Sequence, residues 1–319
     1  MRHPADRKAV ALPEVPGLGR TYLRTLAARG SSRGELESVE VRVDDVRVDA
    51  DHLADYQRVV GEPVSDVAPA GYLFVLSFPL ALSVMTRKGF PLRALGMVHV
   101  KNRIVQNHPV RIGDSLGLRT WAQDLRARRS GTQVDLVTQA LDADGDVAWE
   151  QVSTFLAKGA RIEGLPAADD DEPRAEFSPP VPTARWELPA DTGRRYAAVS
   201  GDRNPIHLNP LLAKGFGFPR TIAHGMYTAG RVLASVGAAR GEAYVWEVTF
   251  GRPVLLPSTV AVRVAGPEVG AEPATGGRRG SRAARSEPAG SAARPGFELA
   301  VWDPRSGKPH LSGSLTPIR

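Results

Sequence analysis

The chain of 319 residues contains no cysteine. This absence excludes disulfides, cysteine nucleophiles and thiolate metal sites, and it fits the reducing conditions of a cytosol. The sequence also lacks any run of roughly 18 apolar residues, the length that a membrane-spanning helix needs. Its first residues, MRHPADRKAVALPEV, contain no apolar core of signal-peptide length. We therefore expect a cytoplasmic protein that does not associate with a membrane.

Lysine is scarce in this basic chain. Only six of the 41 basic residues are lysines, although the net charge is +6. A basic chain can indicate nucleic-acid binding. Five of the arginines, however, fall in the low-complexity run 266–296, and no nucleic-acid-binding motif accompanies the rest. We predict a diffuse arginine surface and no nucleic-acid partner.

The length suits two domains of ordinary size, and the composition shifts indicate where they meet. An acidic run with several prolines predicts an inter-domain linker at 163–185. The linker separates an N-terminal domain at 37–162 from a C-terminal domain at 186–319. Residues 1–36 are then an N-terminal extension, with one short helical stretch near Thr21–Ala28.

The run 266–296 is rich in Gly, Ala, Pro, Ser and Arg and contains almost no large apolar residue. Such a segment cannot bury enough apolar surface to become ordered. It lies between two strand-like runs, Thr259–Val264 and Phe297–Trp302. We predict a disordered insertion in the loop of an enlarged hairpin.

The two domains resemble each other. Asp51–Gly61 and Asp191–Gly201 share Tyr, Val and Gly at a constant offset of 140. An apolar helical pattern follows in each half, at Leu73–Thr86 and at Met226–Val236. Strand-like runs then close the halves, at Met97–Gln106, Ser115–Ala122, Gln133–Leu141, Ala243–Phe250 and Val260–Val264. A helix followed by several strands, repeated, predicts a duplicated α+β unit with the helix packed on an antiparallel sheet.

The segment Tyr196–Met226 carries the chemistry. It places a carboxylate, Asp202, and an imidazole, His207, on the two sides of an Asn204–Pro205 pair, which favours a turn or the capped start of a helix. An acid and a base that converge on one water are what reversible hydration needs. Gly225, at the start of the next helix, could donate its N–H to a developing oxyanion. The first half has no counterpart of this cluster after Gly61.

Each of these residues also has a purely structural interpretation. Asp202 or Asn204 could be an ordinary cap, and His207 could be a histidine that only stabilises a helix start. His224 is interpreted as an ordinary residue at the start of a helix in preference to a ligand. The other histidines, at positions 3, 52, 99, 108 and 310, have no metal-ligand spacing, so we predict no metal site.

The pattern Tyr-x-x-Val-Ser-Gly-Asp-x-Asn-Pro-Ile-His at Tyr196–His207 resembles the signature of the hydratase 2 or MaoC-like dehydratase family, as does Gly217–Met226. More broadly, residues 37–319 resemble actinobacterial (3R)-hydroxyacyl-thioester dehydratases with two fused hot-dog units. The resemblance implies that Asp202 and His207 form the catalytic dyad, that Asn204 orients the site and that the Gly225 N–H is the oxyanion donor. It also implies that the degenerate N-terminal unit houses the acyl tail. The insertion at 266–296 departs from the family pattern.

The expected function is therefore an (R)-specific enoyl-thioester hydratase and (3R)-3-hydroxyacyl-thioester dehydratase, without a metal or redox cofactor. Two alternatives stay open, a hot-dog acyl-CoA thioesterase and a non-catalytic acyl-binding subunit of a dehydratase complex. The sequence does not distinguish acyl-CoA from acyl-ACP as the substrate. A few arginines are candidates for contacts with carrier phosphates. Two fused units also leave a monomer that imitates the hot-dog dimer and a homodimer as alternatives.

Overall fold

The computed structural model of the chain describes residues 7–19, 21, 34–166, 176–266 and 296–318. Its helices are α1 (Ala50–Val60), α2 (Ala70–Met85), α3 (Thr192–Ser200), α4 (Pro205–Leu208), α5 (Pro210–Gly215) and α6 (Gly225–Val236). Its strands are β1 (Lys8–Ala11), β2 (Val39–Arg47), β3 (Val67–Ala68), β4 (Val98–Gln106), β5 (Val110–Arg111), β6 (Ser115–Arg128), β7 (Gly131–Leu141), β8 (Val147–Lys158), β9 (Ala184–Leu188), β10 (Tyr244–Phe250), β11 (Ser258–Ala265), β12 (Phe297–Trp302) and β13 (Pro309–Pro317).

One large sheet runs in the order β1-β2-β6-β7-β8-β4-β10-β13-β12-β11-β9. Its centre is the antiparallel pair β4–β10, in which Gln106 faces Tyr244 and Lys101 faces Thr249. Outward from this pair, the strands of the first half follow in the order β4-β8-β7-β6-β2 and those of the second half in the order β10-β13-β12-β11-β9. If only these five strands of each half are numbered along the chain, both orders read second, fifth, fourth, third and first. The two halves therefore share one topology, as the internal repeat predicts. The edge strand β1 is an addition that pairs in parallel with β2.

Each half packs one main helix against its strands. The N-terminal helix α2 is apolar on all sides, and most of its side chains are buried. It contacts β2, β6, β7 and β8 of its own half and also α6 of the other half. A helix that is hydrophobic all round belongs in an interior. The two halves consequently share one continuous hydrophobic core, which contains Trp149 from the first half and Trp246 from the second.

The repeated segment Asp51–Gly61 and its copy Asp191–Gly201 have the same structure. Helices α1 and α3 end at Gly61 and Gly201, whose φ angles of 76° and 68° lie in the left-handed region that favours glycine. The matched tyrosines, Tyr56 and Tyr196, are both buried, and their ring centroids lie 6.4 Å apart. The constant offset of 140 therefore marks two equivalent helices, α1 and α3, whose buried tyrosines lie close together between the halves.

Within the described residues, the two predicted apolar helices and the predicted strands are confirmed, with ends that differ by up to six residues. The predicted hairpin is also confirmed, because β11 and β12 pair in antiparallel fashion. The pattern did not predict β1, β2, β3, β5, β8, β9 or β13. The last of these, PHLSGSLTP, contains residues that disfavour strands, and it forms because it is paired on both sides, by β10 and β12.

Several predictions fall on parts of the chain outside the described residues. These are the helical stretch after residue 21, the residues 167–175 of the predicted linker and the residues 267–295 of the predicted insertion. Of the described residues of the predicted linker, 163–166 and 176–183 contain neither helix nor strand, whereas residues 184 and 185 already belong to β9, so the second half begins slightly earlier than predicted. Among the described helices, none combines the length and the apolar character that crossing a membrane requires.

Candidate active site

Asp202 lies in the short loop that follows α3. The left-handed Gly201 reverses the chain there. The Asp202 N–H donates to Ser200 Oγ at 3.2 Å, and its Oδ1 accepts the N–H of Asn204 at 3.1 Å. Local hydrogen bonds therefore hold both the main chain and the carboxylate of Asp202.

Asn204 caps the short helix α4. Its Oδ1 accepts the N–H of Ile206 at 3.4 Å, and Pro205 occupies the first helical position, where it needs no N–H partner. The Asn204–Pro205 pair therefore forms both the turn and the capped helix start that the sequence allows, because the turn is the start of α4. The four-residue helix carries His207 as its third residue. Asn204 thus fixes the turn that separates the carboxylate from the imidazole.

His207 is buried, with 8% of its surface exposed. Its Nδ1 lies 2.8 Å from the main-chain oxygen of Ile222. A carbonyl oxygen only accepts, so Nδ1 carries the proton and Nε2 keeps its lone pair. Burial lowers the pKa of His207, while the charge of Asp202 and the bond to Ile222 oppose the shift. A neutral imidazole next to a carboxylate is a suitable base.

His224, interpreted from the sequence as an ordinary residue at a helix start, lies against the dyad. It is the N-cap residue of α6, and its Nε2 donates to the main-chain oxygen of Asp202 at 3.0 Å. Its ring stacks on that of His207, with centroids 3.6 Å apart, and on the other side it packs near Tyr196. Its Nδ1 is buried without a partner. Burial first, and then the charge of His207, lower the pKa of His224 to about 3.

Asp202, His207 and His224 bring one potential metal ligand each to within 4.8 Å of one another. The geometry of the two rings argues against a shared ion. Imidazole nitrogens coordinate a metal in the plane of the ring, at about 2.0–2.1 Å for zinc. The planes of the stacked rings are only 25° from parallel, so they meet far outside that distance. The cluster suits proton transfer better than metal binding.

Gly225 begins α6, and its N–H has no partner within the helix, as for every first helical residue. It is exposed, whereas His224 and Met226 on either side are buried. The exposed face opens onto the same cavity as the dyad. A Cβ at this position would lie 3.0 Å from Phe250 Cε1, so the ring and the glycine are in close contact.

A cavity of about 250 Å³ brings the predicted residues together, since Asp202, Asn204, His207 and Gly225 all line it. Much of its apolar wall comes from the first half of the chain, through Phe74, Phe78, Leu82, Met85, Met97 and Phe155, and the second half adds Ile206, Ile222, Met226, Phe250 and Val254. His99, also in this wall, stacks on Phe155 at 4.7 Å, and its Nε2 has no partner. The C-terminal half therefore supplies the predicted site residues, and the N-terminal half supplies a large part of the apolar chamber together with His99 and Lys158.

A larger cleft of about 1120 Å³ adjoins this cavity and shares Lys158, Arg252 and His310 with it. Five cationic side chains line the cleft: Lys158, Arg220, Arg252, Arg305 and Lys308. None of the five forms an ion pair with a described carboxylate. Among the described residues of the lining, only Glu187 and Asp303 are acidic. Nothing in the residue pattern distinguishes these cations from the other basic residues of the chain.

The first half has a different arrangement at the position that matches Asp202. Glu62, which follows Gly61 as Asp202 follows Gly201, forms an ion pair with Arg240 of the other half. The two groups are 2.5 Å apart, and their side chains are only 8% and 13% exposed. At the position that corresponds to Asp202, the first half therefore has a structural ion pair that joins the two halves.

Comparisons with known proteins agree with this architecture. A family model described as MaoC-like domain matches residues 170–273. Over 231 residues, 72% of this chain and 81% of the relative, the sequence is 41% identical to 3-hydroxyacyl-thioester dehydratase X of Mycobacterium tuberculosis. The crystal structure of HtdX from the same organism superposes with a TM-score of 0.70 at 35% identity, covering 88% of this chain and 100% of that chain.

A further protein of Mycobacterium tuberculosis, described as a double hot-dog fold, superposes with a TM-score of 0.51 at 14% identity. The superposition covers 91% of this chain and 98% of that chain, and at this identity it concerns the fold alone. The sheet order and these neighbours confirm the predicted α+β double hot-dog.

Proposed function

Because the chain belongs to the MaoC-like dehydratase family, we propose that the cavity beside Asp202 and His207 is its one active site. The chain is a hydro-lyase, a hydratase and dehydratase of fatty acid metabolism. In one direction water adds to a trans-2-enoyl thioester, and in the other it leaves a (3R)-3-hydroxyacyl thioester. The observation that carries the assignment of the site is the fixed tautomer of His207, whose Nε2 lone pair is available beside a carboxylate.

In the hydration direction, the water oxygen attacks Cβ while His207 Nε2 accepts one proton of the water. The electron pair of the double bond moves towards the thioester and gives an enolate. The imidazolium then returns the proton to Cα as the enolate collapses, and dehydration is the reverse sequence. Asp202 orients the water, and its negative charge stabilises the imidazolium, consistent with its raising effect on the pKa of His207.

The enolate oxygen needs a hydrogen-bond donor where its charge develops. The Gly225 N–H is unpaired within α6, lies at the positive end of the helix dipole and lines the cavity. We assign it as the oxyanion donor. Without a Cβ, Gly225 also lets the thioester approach the main chain closely. Asn204 orients the site indirectly, by capping the turn between Asp202 and His207.

The N-terminal unit accommodates the acyl tail in this scheme. Five apolar side chains of α2, namely Phe74, Val75, Phe78, Leu82 and Met85, line the cavity next to the dyad. An acyl chain needs such an apolar wall, and the first half has no dyad of its own. The domains are accordingly an acyl-binding unit at 37–162 and a catalytic unit at 186–319, joined by the linker 163–185.

The cationic cleft is our candidate for the carrier. A thioester whose reacting carbons lie at His207 extends past Lys158 and Arg252 into the cleft, because these residues line both spaces. Cations without a described acidic partner suit phosphate groups. Both acyl-CoA and acyl-ACP carry phosphates, and either carrier is compatible with this position.

The reaction transfers a proton and a hydroxide without net oxidation, so the scheme uses no redox cofactor. Nor does it use a metal, because the stacked rings of His207 and His224 do not converge on one ion. We further propose a cytoplasmic enzyme whose two fused units replace the two subunits of a hot-dog dimer.

Crotonyl-CoA tests the proposed function directly. We expect the enoyl absorbance to fall without release of free thiol when the purified full chain is added. Release of thiol would instead indicate a thioesterase, and acyl-CoA binding without turnover would indicate a non-catalytic subunit.

A further inference from the structure

Two segments of the C-terminal half, 202–207 and 222–225, form the frame of the active site. The Ile222 N–H donates to the Ile206 oxygen at 3.1 Å, and His207 Nδ1 donates to the Ile222 oxygen at 2.8 Å. Both bonds lie at the His207 end of the frame. At the Asp202 end, the bond of 3.0 Å from His224 Nε2 to the Asp202 main-chain oxygen joins the segments.

His224 is also adjacent in sequence to the proposed oxyanion donor. Its main-chain oxygen accepts the N–H of Thr228 at 3.3 Å, so the residue is fixed to the first turn of α6. The Gly225 N–H belongs to the same peptide group as that oxygen. One side chain therefore connects the loop that holds Asp202 with the turn that holds the Gly225 N–H.

Packing alone does not account for a histidine at this position. The ring lies between His207 and Tyr196 and is 4% exposed. A phenylalanine would make the same ring contacts without burying an unpaired nitrogen, whereas His224 buries Nδ1 with no partner. Buried polar atoms without partners are destabilising. The other nitrogen, which donates to Asp202, is the part that a phenylalanine would lack.

We propose that His224 is a positioning residue for the hydro-lyase reaction: its Nε2–H holds Asp202 at the correct distance from the Gly225 N–H. The inference rests on the proposed function, because it concerns the geometry of that dyad and that donor. Water activation and enolate stabilisation must occur on the same bound thioester. A frame that loosens at the Asp202 end separates the two groups and slows the chemical step, while the acyl and carrier contacts stay intact.

The test uses two substitutions of His224 and one matched control. His224→Phe keeps an aromatic ring and removes the donor, and His224→Gln keeps a donor at a similar reach and removes the ring. His52→Phe is the control, since His52 Nε2 also bonds a main-chain oxygen of the C-terminal half, that of Val199 at 2.7 Å, but does not line the cavity.

For His224→Phe we expect kcat to fall by about 10- to 100-fold, the order expected for a displacement of roughly 1 Å, with KM nearly unchanged. His224→Gln should retain most of the wild-type kcat, and His52→Phe should match the wild type. Thermal unfolding monitors the fold of each variant. A wild-type kcat in His224→Phe, or equal losses in both His224 variants, would overturn the proposal.

A second measurement does not depend on activity. Nitrogen NMR of the histidine side chains in the wild-type chain at neutral pH should show His224 as the tautomer protonated at Nε2. A His224 protonated at Nδ1 would refute the proposed hydrogen bond. A chain without hydratase activity would contradict the proposed function, and the NMR result would still decide the positioning hydrogen bond.

Discussion

The imidazole rings of His207 and His224 stack with their centroids 3.6 Å apart and their planes 25° from parallel. The two rings cannot both carry a proton at this separation without strong repulsion. Burial and then the charge of His207 lower the pKa of His224 to about 3, and burial also lowers the pKa of His207, while the charge of Asp202 opposes both shifts. Because His224 Nε2 donates to the Asp202 main-chain oxygen and its Nδ1 is buried, we assign His207 as the ring of the pair that accepts a proton during turnover.

Removal of either member of the dyad should abolish most of the activity. We expect Asp202→Asn and His207→Gln each to lower kcat by about 10² or more, because each removes a group that acts on the transferred proton. Steady-state kinetics with crotonyl-CoA measure the loss. The matched control is Glu62→Gln, at the equivalent position of the first half, which should lower thermal stability by breaking the Arg240 ion pair and leave kcat near the wild-type value. Near-normal turnover in both dyad variants would refute the assignment.

Two substitutions of Gly225 distinguish the role of its N–H from the effect of adding a Cβ. Gly225→Ala adds a Cβ 3.0 Å from the Phe250 ring but keeps the N–H. Gly225→Pro removes the N–H at a first helical position, where proline is tolerated, and the extended φ and ψ of His224 (−64° and 137°) suit a residue before proline. We expect the proline variant to have a kcat about 10²-fold below that of the alanine variant, as for the loss of an oxyanion donor. Equal values would exclude the N–H as that donor.

The rate of hydration should depend on pH through His207. The neutral ring is the base, and burial lowers its pKa below the ordinary 6.5. The value of kcat/KM should therefore rise with pH through a midpoint below 6.5 and stay constant above it. A profile measured over pH 4.5–8 checks this expectation, and an acidic limb centred above 6.5 would contradict it.

The buried histidines should also make the fold sensitive to acid. Burial lowers the pKa of His99 to about 3, despite the opposing bond to the main chain of Lys101. Below pH 6.5 the unfolded chain takes up a proton at this position and the folded chain does not, so stability falls as the pH falls. His99→Phe removes that contribution. Between pH 7 and pH 5 the variant should lose about 2 kcal/mol less of its unfolding free energy than the wild type does, as measured by urea titration. Equal losses of unfolding free energy in the variant and the wild type would contradict this prediction.

The cationic cleft predicts a salt-dependent interaction with the carrier. Arg305→Glu and Lys308→Glu reverse two exposed cations there and should raise the KM for crotonyl-CoA, with a smaller effect on a pantetheine thioester that lacks the nucleotide phosphates. Arg42 on β2 is also exposed, so Arg42→Glu is the control and should leave the KM for both thioesters unchanged. Equal effects on both thioesters would exclude the cleft as the phosphate site.

The sequence predicted the parts of this molecule that depend on local chemistry. The cap at Asn204 and the start of α6 at Gly225 follow from residue types at fixed spacing, and the structure contains both. The apolar pattern likewise located α2. These features need no knowledge of distant contacts.

The rest depends on contacts between distant segments. His224 was interpreted as an ordinary residue at a helix start, because nothing in its neighbourhood indicates that its ring stacks on a residue 17 positions earlier. The Glu62–Arg240 ion pair spans 178 positions. Strand β13 is paired on both sides despite a composition that disfavours strands. Spacing along the chain carries no signal for such pairs.

The central pair β4–β10 joins the two halves within a single polypeptide. In an assembly of two identical chains, every substitution is present twice, so a change that reshapes one substrate chamber also alters the reaction centre of the partner. Within one chain each half can change separately. At the equivalent position after the helix-ending glycine, the first half has Glu62, which pairs with Arg240, and the second half has Asp202. In the proposed scheme the fused molecule has one reaction centre instead of two, so its chamber and that centre can evolve independently.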